Sequence, residues 1–395
     1  MNTSTKTILK GCTIFLENET LQNGYVMIQG EKIVEAGDIA SCPTHSGNTI
    51  ITLPSSFKIT PGFIDVHIHG AGGADTMDGT ADALQTISSS LPQEGTTSYL
   101  ATTITQSHEN IKQALLNVAG YTETQSSGQA EILGIHLEGP FINSCRAGAQ
   151  PKEYIQQPDI ELFEEWNNHA NRLIKLVTLA PELKGGLEFV DHLASKGIIA
   201  SVGHSDATFE EVKLAADAGA THVTHLFNGM KGLHHRELGV AGAALKLNEL
   251  MVELIADGIH LHPEMMELVY RMKTAEKMLL ITDSMRAKCL KNGRYDLGGQ
   301  EVTVQHGKAL LEDGTLAGSI LKMKDAIRNM SAYLDISLRE ILQMATVNPA
   351  KQLHVFDRKG SLTPGKDADI VVLNEGLDVM LTICKGKLAY RRGDW

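Results

Sequence analysis

The chain has 395 residues, 42% of them hydrophobic, enough to bury a sizeable core and to build more than one domain. Its formal net charge of −12 argues against nucleic acid or an anionic membrane as the main partner, since both need a basic surface. No apolar run approaches the ~20 residues that cross a bilayer, and the polar start from Met1 to Lys10 lacks the apolar core of a signal peptide, so a cytoplasmic protein is expected.

Residues from about 6 to 55 read as short β-runs: Thr7 to Leu16, Tyr25 to Ile28, Lys32 to Glu35 and Thr49 to Leu53, split by Gly and Asn turns. The C-terminal end matches them, with runs at Asp369 to Leu373, Val379 to Cys384 and Lys387 to Tyr390. Between these flanks, apolar runs alternate with amphipathic stretches. Strands are expected at Phe63 to Ile68, Thr97 to Thr102, Ile132 to Leu137, Ile174 to Leu179, Ile198 to Val202, His222 to Leu226, Val252 to Ala256 and Met278 to Ile281. Helices are expected at 81–91, 107–119, 186–195, 207–217 and 263–274, with a last barrel helix over Leu338 to Val347. Asn348-Pro349 and Thr363-Pro364-Gly365-Lys366 then mark the exit into the terminal strands.

Eight β/α units predict an α/β protein with a (β/α)₈ TIM barrel over residues 59–350, beside a small β-sandwich domain built from 1–58 and 351–395. A doubly wound open sheet is the competing architecture. It calls for a Gly-x-Gly-x-x-Gly turn after the first strand, and Gly70-Ala71-Gly72-Gly73 does not have that spacing. The cysteines Cys12, Cys42, Cys145, Cys289 and Cys384 are scattered, with no Cys-x-x-Cys pair, so neither a disulfide framework nor a zinc knuckle is expected.

In Ile64-Asp65-Val66-His67-Ile68-His69-Gly70, side chains two apart share a face, so the two imidazoles point the same way. An isolated His-x-His is an ordinary polar strand end. Here, however, His67 and His69 close the first strand, Glu138 the third, His204 the fifth, His225 the sixth and Asp283 the eighth. In a (β/α)₈ barrel the carboxyl ends of the strands form one rim, so six metal-competent side chains converge where active sites sit. The alternative for the set is a satisfied polar plug. Nitrogen and oxygen donors predict a first-row divalent ion: zinc, iron(II), manganese or cobalt. Such an ion lowers the pKa of bound water from 15.7 towards about 7. Asp283, without an obvious ligand partner, is then expected to accept a proton and return it to the leaving group in hydrolysis of an amide-like bond.

These residues resemble the amidohydrolase superfamily. His136-Leu137-Glu138-Gly139-Pro140-Phe141, Gly203-His204-Ser205, Thr224-His225-Leu226-Phe227-Asn228-Gly229-Met230, Ala256-Asp257-Gly258-Ile259-His260 and Leu316-Ala317-Gly318-Ser319 together look like the family of N-acetylglucosamine-6-phosphate deacetylases. The resemblance implies release of acetate from N-acetyl-D-glucosamine 6-phosphate in amino-sugar catabolism or cell-wall recycling. Metal-activated hydroxide would attack the acetamide and Asp283 would act as base, then acid.

The resemblance also implies one or two ions. His67, His69, Glu138 and Asp283 would line one site, and Glu138, His204 and His225 the other, Glu138 bridging where relatives of the dihydroorotase kind use a carboxylated lysine. The lone lysine of the fourth strand, Lys175, sits about 13 Å below the rim. For substrate, the resemblance implies phosphate held at Asn228-Gly229 and by Arg236 and His260. Ala149-Gln150, Asp257-Gly258-Ile259-His260 and Leu316-Ala317-Gly318 would line the sugar and acetyl group. Arg236 would reach the neighbouring active site in a homodimer. At Gln150 several relatives carry histidine. The rivals are a cyclic-amide hydrolase of the same fold, which the lack of a strand-four lysine at the rim speaks against, and a non-catalytic scaffold, expected to have lost ligands.

Overall fold

The computed structural model describes residues 6–43 and 47–393; residues 1–5, 44–46 and 394–395 of the expected β-sandwich segments lie outside the described residues. All eight apolar runs become strands of one parallel sheet, in chain order: Phe63–Ile68, Thr96–Thr102, Glu131–Glu138, Ile174–Leu179, Ile199–Val202, His222–Val223, Met251–Ile255 and Met278–Ile281. The ring closes just past the eighth strand. Asp283 N–H donates to the His67 carbonyl at 2.8 Å, and Ser284 bridges to Ile68. The residue expected to do proton chemistry therefore also sits at the seam of the barrel.

One helix follows each strand: Ala81–Ser90, His108–Thr124, Ile160–His169, Gly186–Ser195, Phe209–Asp217, Gly239–Lys246, Pro263–Lys273 and Met323–Tyr333. Local chemistry starts several of them. The side chains of Thr80, Ser107, Asp159 and Thr208 each accept a hydrogen bond from the first helical turn, and Glu211 returns a capping-box bond to Thr208.

Five features differ from expectation, the first being the helix Ile160–His169, which lies outside the expected helical stretches and buries Phe163 and Trp166. The helix Gly239–Lys246 is buried all round and carries two glycines, so it shows no amphipathic period. The eighth barrel helix is Met323–Tyr333, not the stretch from Leu338. It buries Met323, Ala326, Ile327 and Met330, and it comes late because a three-stranded antiparallel sheet (Gly293–Leu297, Gln300–Gln305, Lys308–Leu310) is inserted after the eighth strand. The stretch from Leu338 forms two further helices, Leu338–Ala345 and Val347–Gln352, and Asn348-Pro349 lies inside the second rather than at an exit. Pro349 is tolerated there because the first turn of a helix needs no backbone donors. The sixth strand pairs only at His222 and Val223: His225 (φ 26°) and Phe227 (φ 78°) turn the chain out of the sheet.

The terminal segments form a second, eight-stranded sheet: Thr7–Phe15, Thr20–Gln29, Lys32–Asp38, Thr49–Thr52, Lys58–Pro61, Ile370–Leu373, Val379–Cys384 and Lys387–Arg391. Leu9, Ile14, Val26 and Ile33 share a core with Ile59, Ile370, Val372 and Ile383, so the sheet closes over its own apolar face. Alternate residues do the opposite. Val371 and Leu373 join the barrel core, as strand periodicity dictates. Buried Lys359 lies 2.7 Å from Glu131, at the start of the third barrel strand, and 2.5 Å from Asp369. Burial would raise the Glu131 carboxyl, but the charges of Lys359 and Arg358 outweigh it and hold the group at about 2. All five cysteines are free, and no helix among the described residues is long and apolar enough to cross a membrane.

Candidate active site

The first barrel strand is buried along its whole length. Ile64, Val66 and Ile68 pack into the core, while Asp65 and His67 take the other face. Asp65 accepts a 2.6 Å hydrogen bond from the Thr282 hydroxyl, which ties the first strand to the eighth beneath the rim. Glu138 ends the third strand. His204, His225 and Asp283 each adopt positive φ, at 47°, 26° and 47°. Left-handed backbone at a non-glycine residue costs about 1–3 kcal/mol and collects at functional sites. Here it appears at three of the six rim residues. Gly229 shows how close the loop above comes: a Cβ there would lie 2.9 Å from His204 Nδ1.

Glu138 is the hub. Its Oε1 lies 3.1 Å from both His204 Nε2 and His225 Nε2 and 3.5 Å from His67 Nε2. Its Oε2 is 3.3 Å from His69 Nε2 and accepts a 2.7 Å bond from Gln150 Nε2. Asp283 Oδ1 lies 3.5 Å from His67 Nε2 and 3.3 Å from His69 Nε2. Two groups of donor atoms lie within 4.8 Å of one another, His67 with His69 and Glu138, and Glu138 with His204 and His225.

The electrostatics describe a site short of positive charge. Burial would depress His69, but hydrogen bonds to Asp283 and Glu138 outweigh it and lift the imidazole to about 10. His67 and His204 are raised against burial by the same carboxylates. Burial would raise Glu138 and Asp283, yet the charge of His67, foremost among their neighbours, brings both below the ordinary carboxylate range. His67 Nε2 is buried without a hydrogen-bond partner and faces the two carboxylates. Protons and a divalent cation would compete for the same lone pairs. This set of imidazoles and carboxylates fits a first-row divalent ion.

Above the cluster lies a cavity of about 190 Å³. His69, Glu138, His204, His225 and Asp283 form its polar floor, and Ala149, Gln150, Asn228, Gly229, His260, Leu316 and Gly318 contribute to its walls. His67 lies buried beneath. Asp257 is set behind His260, with Oδ2 2.7 Å from His260 Nδ1 and Oδ1 accepting the backbone N–H groups of Ile259 and His260. Gly258 and Ile259 form that turn without reaching the wall, and buried Ala317 donates its N–H to Ala309. Arg236 is not brought to this cavity. It lies on an exposed turn with Nη1 2.7 Å from His235 Nε2. Lys175, the second residue of the fourth strand, packs near Gly134, away from the rim.

Gln150 is fixed at both ends, since its Oε1 accepts the Thr105 N–H at 2.8 Å. Sequence reasoning missed the wall residues Ile104, Gly148, Leu297 and Thr315. Leu297 belongs to the inserted sheet, whose Gln300 also donates to the Ala149 carbonyl at 2.6 Å. It also missed Glu253, which touches His67, His222 and His225. The available signal was a single acid inside the apolar strand Met251-Val252-Glu253-Leu254-Ile255.

Residues 59–389 match the amidohydrolase family. Over 385 residues the chain is 51% identical to N-acetylglucosamine-6-phosphate deacetylase of Bacillus subtilis (strain 168), covering 97% of each. It is 38% identical over 331 residues to N-acetylgalactosamine-6-phosphate deacetylase of Escherichia coli O157:H7, covering 84% of this chain and 87% of that one. Among solved structures, a mutant N-acetyl-D-glucosamine-6-phosphate deacetylase from Mycobacterium smegmatis in complex with N-acetyl-D-glucosamine-6-phosphate aligns with a TM-score of 0.91. Identity there is 29%, over 98% of this chain and 100% of that one.

Proposed function

The chain belongs to the amidohydrolase family, and on that premise we propose that it removes acetate from N-acetyl-D-glucosamine 6-phosphate, leaving D-glucosamine 6-phosphate. The observation that carries this reading is the convergence of four imidazoles and two carboxylates at and just beneath the floor of one cavity, in a chain 51% identical to a deacetylase of that substrate. The reading takes residues 59–350 as the hydrolase barrel and 1–58 with 351–395 as its supporting β domain.

A divalent ion held by His67, His69, Glu138 and Asp283, or by Glu138, His204 and His225, would supply Lewis acidity towards the acetamide carbonyl and make water acidic enough to act as nucleophile. Two ions sharing Glu138 are proposed. Asp283, ionised and at the edge of the cavity, accepts the proton of the attacking water. It then delivers that proton to the departing amine as the carbon–nitrogen bond breaks. Asp257 holds His260 with its other ring nitrogen available to substrate, and the fixed Gln150 keeps one Glu138 oxygen in place.

Phosphate is read at Asn228, Gly229 and His260, with Arg236 contributed by a second copy of the chain. Among the described residues no carboxylate pairs with Arg236, and it does not line its own cavity, which supports a homodimer with shared sites. A sugar phosphate does not cross membranes unaided, so the enzyme is placed in the cytoplasm, with the pool of its substrate.

The test is acetate release from N-acetylglucosamine 6-phosphate, its galacto epimer and the unphosphorylated sugar, before and after chelation and metal restoration. Turnover requiring both ion and phosphate is expected, and absence of turnover with every first-row divalent ion would overturn the reading. Arg236→Ala should raise KM for the phosphorylated sugar about 10- to 100-fold, the worth of a charge-assisted hydrogen bond of about 1.5–3 kcal/mol. KM for the unphosphorylated sugar should not move. An unchanged KM for the phosphorylated sugar would remove Arg236 from the site.

A further inference from the structure

Beneath the floor of the cavity Glu253 is fully buried and bonded on every side. Its Oε2 lies 2.9 Å from His67 Nδ1 and accepts the backbone N–H of His225 at 3.0 Å; its Oε1 lies 3.1 Å from His222 Nε2. The carboxylate accepts and never donates, so these contacts place hydrogens on His67 Nδ1 and His222 Nε2. With His67 Nδ1 bearing the hydrogen, its lone pair is left on Nε2, the atom that faces Glu138 and Asp283. Gln352 Nε2 stands 3.4 Å from His222 Nδ1 and supports the same tautomer of His222.

His67, His136 and Glu253 are close enough by spacing to suggest a third cation. The bonds already formed speak against one. Both Glu253 oxygens face N–H donors and His67 Nδ1 faces Glu253, so the unpartnered His136 Nδ1 is left without a second ligand atom to share an ion.

We propose that Glu253 is a positioning residue that fixes the ligating tautomer of His67 through its ring, while its contact with His225 reaches only the backbone of the strained turn. The inference rests on the metal-dependent reading above. The two contacts differ in kind, which gives the proposal its signature. Glu253 sets the ring of His67 but only the main chain of His225, and His225 Nε2 keeps its own approach to Glu138. Partners that orient a histidine ligand are worth roughly 10- to 100-fold in metal affinity.

The test is Glu253→Gln, which preserves shape but offers one acceptor and one donor where two acceptors stood. Metal-free wild-type and variant protein would be titrated with cobalt(II), following heat and visible absorption, with thermal unfolding measured in chelator. Expected is a 10- to 100-fold weaker first-site ion, on the side of His67, His69 and Asp283, with near wild-type binding at Glu138, His204 and His225. Metal-free unfolding temperature should be retained. Two wild-type affinities in Glu253→Gln, or equal weakening of both with a lowered metal-free unfolding temperature, would overturn it.

Should the variant not fold, ¹⁵N-histidine labelling of zinc-loaded wild-type protein gives an independent reading. His67 must carry its hydrogen on Nδ1, and a hydrogen on Nε2 would refute the proposal. Wild-type protein that takes up no ion at all would instead sink the metal-dependent reading.

Discussion

Asp283→Asn is expected to lower kcat for acetate release about 10³-fold while leaving the KM of the sugar phosphate within a few-fold, in keeping with the 10²–10⁴-fold worth of a positioned acid–base group. Asparagine is the informative replacement for two reasons. Asp283 sits at φ 47°, and asparagine tolerates left-handed backbone better than most residues. Its main-chain N–H, which closes the barrel onto the His67 carbonyl, is untouched by the change. Because Asp283 Oδ1 also faces His67 and His69, ion content must be measured on the sample used for kinetics. A kcat within tenfold of wild type, at full ion content, would strip Asp283 of the proton-transfer role.

Glu138→Gln should abolish more. Glu138 stands in both donor groups, and its carboxylate faces all four rim imidazoles. A glutamine would present an N–H towards at least one nitrogen lone pair and remove the charge that a shared ligand supplies. Lewis-acid stabilisation is worth several kcal/mol, and each 1.36 kcal/mol is tenfold, so a fall of at least about 10³-fold in kcat/KM is expected. Less than one ion per chain should be retained at low metal concentration. Metal analysis beside kinetics checks it. Two ions held at wild-type strength would mean that Glu138 is no bridge.

The six rim residues were legible because each one closes an apolar run, and a (β/α)₈ barrel gathers strand ends on one rim. The eight strands were legible because each is a mostly apolar run. The sixth misled at its end, since Leu226 reads as strand while the turn that aims His225 inward is a backbone conformation with no hydrophobic signature. The helix Gly239–Lys246 was hidden by being buried on every side. The inserted sheet was missed because its short, partly polar strands resemble loop, and with it went Leu297. Glu253 was visible as an anomaly, but its partners lie on other strands, and long-range pairing cannot be read from one strand's pattern.

The alternation along Ile370–Leu373 bears on how chains of this kind could be recombined. With Ile370 and Val372 in one core and Val371 and Leu373 in the other, the terminal sheet shares a wall with the barrel instead of hanging from it. The enclosed Lys359, whose acidic neighbours come from both sides of that wall, makes the same point in charge. A hybrid that grafted this barrel onto another chain's terminal strands would inherit half an apolar interface and half an ion cluster. A workable crossover point must leave Glu131 and Lys359 with the same parent, so the two parts trade as one inheritance and not as interchangeable cassettes.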